Sequence, residues 1–234
     1  MNPEDRLAAL EAQITTCRKC PRLVRYREEV ACVKRRAYRE WTYWGRPVPA
    51  FGDPQAELVI LGLAPAAHGA NRTGRVFTGD RSGDFLYAQL YKAGFANQPH
   101  SKSADDGLAL TNAWITAAIR CAPPGNKPLP EEILHCSPYL EEEIGLIRPR
   151  AVLALGSIAL NTYLDLLKRQ GRIRSRAGYA FAHGASFILP GDLPRLFAAY
   201  HPSQQNTQTG RLTAAMFARV LRQIRRYLAQ ELQK

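Results

Sequence analysis

No apolar run in this 234-residue chain reaches the roughly 20 residues that a membrane-spanning helix needs. The N-terminus lacks the basic-then-apolar pattern of a secretory leader. The expectation is a cytoplasmic protein, nucleoid-associated if the host is a prokaryote, whose cysteines are reduced or bound to metal. Neither G-x-x-x-x-G-K-[ST] nor G-x-G-x-x-G occurs, which removes the two commonest glycine-rich phosphate cradles. Internal repeats, low-complexity tracts and linker-like stretches are absent, so residues 1–234 read as a single domain. Acidic residues are scarce: 20 Asp and Glu stand against 32 Lys and Arg, for a net charge of +12. The imbalance sits at the ends. Residues 1–50 hold eleven basic against six acidic side chains, residues 201–234 six against one, and the middle fifteen against thirteen. Such an excess suits a polyanion, without distinguishing DNA from RNA or an anionic membrane. It equally suits a solvated basic surface. Apolar residues are not scarce: at 46% of the chain they can build a full α/β core in a monomer without disulfides.

The most informative stretch runs from Gly62 to Asp80 and reads G-L-A-P-A-A-H-G-A-N-R-T-G-R-V-F-T-G-D. It follows Glu57–Leu61, a branched apolar run of the buried-strand type. It precedes residues 83–91, whose apolar members recur at helical spacing. The order is strand, long loop, helix, with the helix starting near Asp80. Its first N–H groups can then face an anion or a polar ring. A loop this long in a compact domain is functional or disordered, and its His, Asn, Arg, Thr, Phe and Asp point to function.

The rest of the chain supplies a frame for this loop. Leu7, Leu10 and Ile14 mark an amphipathic helix over 4–14, and Pro21 opens a second, basic helix running to about Arg36. Residues 38–56 carry Pro47, Pro49 and Pro54 and read as an irregular surface segment whose aromatics pack against the body. Residues 113–120 and 151–156 read as buried strands and 130–147 as an acidic helix. Ser157 reads as the cap of a helix to about Leu167. Residues 168–185 read as a loop or hairpin. Apolar pieces at 187–189 and 196–200 follow, the second leading into His201-Pro202-Ser203. A polar loop over 204–210 and an amphipathic helix from Leu212 to Leu232 complete the chain. Alternating strands and helices predict a three-layer α/β/α fold around a central, mainly parallel four-stranded sheet. The loops 62–80, 121–128 and 201–210 all leave carboxyl ends of strands, where open α/β sheets bind ligands. One cleft can gather all three.

The five cysteines divide into two pairs and a spare. Cys17-x2-Cys20 is a two-ligand clamp on a tight turn, and Cys121 with Cys136 makes the second pair. Four thiolates can hold zinc or an iron–sulfur cluster, and the spacing leaves both open. A redox Cys-x-x-Cys would need a βα context that is missing here.

Taken together, these residues resemble family 5, the type B enzymes, of the uracil-DNA glycosylase superfamily. The stretch 62–80 matches almost every position of that family's first motif, G-L-A-P-(G/A)-A-H-G-x-N-R-T-G-R-x-F-T-G-D, and the resemblance extends from residue 17 to about 217. It implies a monofunctional DNA repair hydrolase that removes uracil and other deaminated bases, such as hypoxanthine and xanthine, to leave an abasic site. It also implies a [4Fe–4S] cluster on Cys17, Cys20, Cys121 and Cys136, tying the N-terminal helices to the sheet. Cys121 sits in the family's R-C-A-P-P context. Cys32 falls outside the pattern and is expected as a buried apolar filler.

The resemblance carries roles residue by residue. Asp80 would serve the sugar cation or its water, Asn126 the base or that water, and His201 the base oxygen. Gly62, Ala64, Ala66, His68, Phe77 and Asn126 would hold the base, with Phe77 stacking on it. Arg72, Ser203, Gln205, Asn206, Thr207 and Arg211 would meet DNA. Each has a plainer role as well: Asp80 as a helix cap, Phe77 as core, Asn126 as a turn former, His201 as a structural histidine. Other families carry Asp, Glu or Asn near Ala64. Here, as in family 5, Leu63 and Ala64 are apolar, so the burden moves to Asp80 or to transition-state electrostatics. Two competing readings are a strict uracil glycosylase of the family 4 kind and a non-catalytic iron–sulfur or zinc DNA-binding protein. A binding module needs neither Asp80 nor His201.

Overall fold

Three of the apolar runs have no exposed face, and this places them at the centre. Every residue of β2 (Leu58–Gly62), β3 (Ala113–Ala117) and β4 (Ala151–Leu155) is buried. With β6 (Arg195–Ala199) they form four parallel strands in the order β3-β2-β4-β6. The expected sheet is therefore present but has six strands, not four. β1 (Phe51–Gly52) pairs antiparallel with β3, and β5 (Ser186–Phe187) pairs antiparallel with β6. Two residues carry no readable period, and β1 lies among prolines, so neither edge shows in the sequence. The structure, a computed structural model, describes residues 2–230.

Helices cover both faces. Leu58, Ile60, Ile115, Leu153 and Phe197 pack under α4 (Arg81–Lys92) and α8 (Ala214–Gln230). Their neighbours Val59, Leu61, Val152, Ala154, Leu196 and Ala198 pack under α5 (Pro130–Ile147) and α6 (Ser157–Arg169). This alternation is the period-2 pleat expressed as two apolar layers. The amino-terminal pair, α1 (Pro3–Thr15) and α2 (Pro21–Val33), lies outside this sandwich, with Leu10 and Ile14 of α1 packed against Tyr139 of α5.

Several boundaries differ from the sequence reading. α2 ends at Val33, where Lys34 takes φ +58, and only a 3-10 turn covers Arg36–Tyr38. Gly156 (φ +95), not Ser157, occupies the cap position of α6, and no side chain caps it. Residues 62–80 are broken by α3 (Ala70–Thr73), and 204–210 contain α7 (Gln204–Gln208). Ser203 accepts the Asn206 N–H at the start of α7, so the polar segment gains a cap that turns it helical. The last helix is bounded at Ala214 and Gln230, and the expected end at Leu232 lies outside the described residues. Among the described residues no helix is long and apolar enough to cross a membrane.

The register decides where function can sit. Gly62 pairs with Ala117 and Leu155 with Ala199, so the carboxyl ends of all four central strands lie side by side. The three loops read as functional leave from that one edge.

Candidate active site

The three loops enclose a cleft of about 450 Å³ lined by Leu63, Ala64, Pro65, Ala66, Val76, Phe77, Asp80, Arg81, Ser82, Ala117, Asn126, His201, Ser203, Gln204 and Gln205. Recesses of about 430 and 490 Å³ lie elsewhere, beside α1 and at the amino ends of β4 and β6, and neither joins the three loops.

Asp80 is the N-cap of α4, and its Oδ1 accepts the Gly83 N–H at 2.9 Å. The capping bond orients the carboxylate as well as starting the helix, so the two readings of Asp80 hold together. Two glycines make the seat. A Cβ at Gly69 would collide with Asp80 Oδ2, and one at Gly83 would collide with the Phe77 carbonyl. Burial raises the Asp80 pKa; the Gly83 and Ser82 N–H groups and Arg72 oppose the rise, and Asp84 adds to it.

Phe77 takes φ +51, a left-handed conformation costing roughly 1–3 kcal/mol for such a residue. Its ring lies over the backbone of Gly62, where a Cβ would approach to 2.8 Å. The Phe77 and His201 rings are 5.7 Å apart and tilted by 32°. Asn126 reaches the rim from a turn in which Gly125 and Asn126 both take positive φ, +60 and +56. His201 follows β6, and Asn206 Nδ2 donates to its carbonyl at 2.8 Å. Burial pushes the His201 pKa down to about 4, so near neutrality the ring is a neutral donor rather than a cation.

Ala64, Ala66, Phe77, Asn126, Ser203 and Gln205 therefore line the cleft, and Gly62 shapes it from beneath. Asn206 and Thr207 bond back to the His201 and Ser203 carbonyls, and Arg211 is exposed over the Tyr200 ring at 4.7 Å. Two expectations are corrected. His68 is not in the cleft: its Nδ1 meets the Tyr43 hydroxyl at 3.1 Å. Arg72, expected on DNA, is 3% exposed, with its guanidinium over the rings of Tyr38 and Trp41 at 3.9 and 4.1 Å. Both side chains are claimed by the irregular segment before β1. Arg81 and Ser82, which sequence reasoning passed over, line the cleft directly after Asp80, and Gln204 of the polar loop lines it too.

Behind the cleft, Cys17, Cys20, Cys121 and Cys136 line one narrow recess with Leu23, Val24, His135 and Tyr139. Ala64 packs against this cluster and also lines the cleft, so the two sites share a wall. Burial pushes the Cys20 thiol up to about 11 and Cys121 to about 12. Arg27, 2% exposed, donates to Cys121 Sγ at 3.0 Å. Among the described residues, no three His, Cys, Asp or Glu side chains are placed to hold a single metal ion. Cys32 is exposed, not buried, because α2 docks through Leu23, Val24 and Arg27, another face of the helix.

Comparison with known proteins agrees with this geometry. A family model described as the uracil DNA glycosylase superfamily matches residues 49–225. The chain is 54% identical to a type-5 uracil-DNA glycosylase of Mycobacterium leprae, over 91% of this chain and 92% of the relative. It is 52% identical to a type-5 uracil-DNA glycosylase of Thermus thermophilus, over 91% and 94% of the two chains. A type-4 uracil-DNA glycosylase of Pyrobaculum aerophilum is 28% identical, over 84% and 83%.

Proposed function

The chain belongs to the uracil DNA glycosylase superfamily, and from that premise we infer that it excises uracil from DNA by hydrolysing the N-glycosidic bond, a step of DNA repair. The observation that carries this reading is the convergence of Phe77, Asp80, Asn126 and His201 on one cleft.

A base inside a duplex cannot reach such a cleft, so the nucleotide leaves the stack first. Phe77 offers a ring face to the base, and the Asn126 amide can pair with its edge. As the bond from the base nitrogen to C1′ breaks, its electron pair stays with the base and the sugar becomes cationic. His201, neutral through burial, donates an N–H to the base oxygen where negative charge collects. The Asp80 carboxylate stabilises the sugar cation, and water adds to C1′. The water's proton is released, so base anion and abasic sugar result without a covalent enzyme adduct. Asp80→Ala should slow single-turnover release of uracil ~10²–10³-fold, at unchanged affinity for uracil-containing duplex. A wild-type rate from a folded Asp80→Ala protein would reject this site.

The proposed substrate range is wider than uracil and includes hypoxanthine and xanthine. What supports it is the wall at residues 63–66, Leu-Ala-Pro-Ala, which carries no acidic or amide side chain to exclude a purine. Release of uracil alone from matched duplexes would restrict the enzyme to that base.

The proposed cofactor is a [4Fe–4S] cluster on Cys17, Cys20, Cys121 and Cys136. The support is the donor set. The four cysteines line one recess, and Arg27, buried against Cys121 Sγ, has an Nε that lacks an acceptor. Buried cations suit an anionic, thiolate-held group. Once bound, such a group supplies a structural tie between the α1–α2 turn, the segment after β3, and α5. Protein purified without oxygen should be brown and contain iron and sulfide, and Cys32→Ser should keep both. A colourless zinc protein would reject the cluster.

A further inference from the structure

Arg72 is buried. Among the described residues it makes no ion pair, and its Nη1 has no hydrogen-bond acceptor. An isolated buried cation is costly, so what surrounds it must compensate. Nε donates to the His68 carbonyl at 2.9 Å and Nη2 to the Gly79 carbonyl at 2.8 Å. These two carbonyls belong to the residues just before Gly69 and Asp80, the pair whose contact forms the seat of the carboxylate. The remaining face is covered by Tyr38 and Trp41. Two rings over one guanidinium shield it from water while adding cation–π attraction. Gly79 is part of the arrangement: a Cβ there would lie 2.5 Å from Arg72 Nη2.

We propose that Arg72 is a positioning residue acting through Asp80, a sealed cation that pins the 68–69 turn to the 79–80 turn and so fixes the Asp80 carboxylate at the sugar. The inference rests on the catalytic reading of Asp80. The other groups facing that carboxylate are Asp84 and the Tyr87 hydroxyl on α4 and His201 across the cleft, with Arg81 beside it. Arg72 is the cation among them that the fold encloses; its charge adds to the larger effect of the Gly83 and Ser82 N–H groups in opposing burial. Because Arg72 does not reach the surface, its removal should leave DNA affinity alone.

The test is the pH dependence of single-turnover uracil release at saturating enzyme. Arg72→Gln should move the acidic limb upward and lower the plateau rate, because a favourable charge is lost and the two turns are no longer pinned. Arg72→Lys should keep the limb in place while losing rate, because the charge remains and the fork is lost. Damaged-duplex affinity should stay unchanged in both. If Arg72→Gln does not fold, Trp41→Leu gives the same readout. Removing one ring admits water to the cation, which should raise the limb by a smaller step, and Trp41→Phe should restore it. An unmoved limb in a folded Arg72→Gln protein or, failing that, in Trp41→Leu, with Asp80→Ala still inactive, would overturn this role and leave the catalytic reading standing. A wild-type rate in Asp80→Ala would overturn both.

Discussion

His201 shows how one residue's surroundings set its chemistry. A free imidazole titrates near 6.5, and burial lowers that of His201 to about 4. The unfolded chain therefore takes up a proton at a pH where the native protein does not. The contribution of His201 to stability is complete above the unfolded value and is lost as pH falls from about 6.5 towards 4. His68 and His183, also lowered by burial, steepen the same slope. Asp80, raised by burial, acts in the opposite sense at lower pH, since its native form prefers the proton. Denaturant midpoints should accordingly fall between about pH 7 and 5, and His201→Asn should flatten that fall. An unchanged slope would mean that the ring is not held neutral by burial. The sequence alone marked His201 through its place in H-P-S after an apolar run. It carried no sign of the ring's depressed pKa, which arises from the walls around it.

At the scale of elements, α4 couples structure to chemistry through its first residue. A side-chain oxygen at the cap position satisfies one of the N–H groups that a helix start leaves open. Asn caps as well as Asp but carries no charge. Asp80→Asn should therefore keep stability within about 0.5 kcal/mol of the parent while losing activity; Asp80→Ala should lose activity and also about 1 kcal/mol. Urea unfolding beside single-turnover release separates the two roles. Equal destabilisation by Asn and Ala would show that the capping bond matters little. The short α3 and α7 were less legible than α4. Five residues or fewer give no amphipathic period, and their starts depend on local backbone geometry and on the Ser203 cap.

For the whole molecule, charge and topology together decide which basic residues can meet DNA. α8 runs antiparallel to the sheet. The Leu212 N–H near its start donates to Asn206 beside the cleft, while Leu228 near its end accepts from Arg150, just ahead of β4. Arg211 and Arg219 thus lie nearer the cleft edge than Arg226, although all count equally in the net charge of +12. DNA affinity should fall with salt by ~0.9 log unit per log unit for each phosphate neutralised. Arg211→Glu or Arg219→Glu should weaken binding and reduce that slope, with Arg226→Glu close to the parent. Equal losses at all three positions would show that DNA contacts the length of α8.

The sequence by itself determined the alternation of strands and helices, because buried strands and amphipathic helices have periods visible over five or more residues. It also determined that loops carrying Phe77, Asp80, Asn126 and His201 leave carboxyl strand ends, which a parallel sheet brings to one edge. Only the tertiary structure decided which way individual side chains point. Arg72 and His68 lie in the same motif as Phe77 and Asp80, yet they turn inward because Tyr38, Trp41 and Tyr43, some 25 to 34 residues earlier, close over them. Cys32 is outside because α2 presents a different face to the body. β1 and β5 exist because longer neighbours offer them hydrogen-bonding edges. For all but β5, whose partner β6 is the next strand, the deciding partner is remote in the chain, and a local pattern holds no record of it.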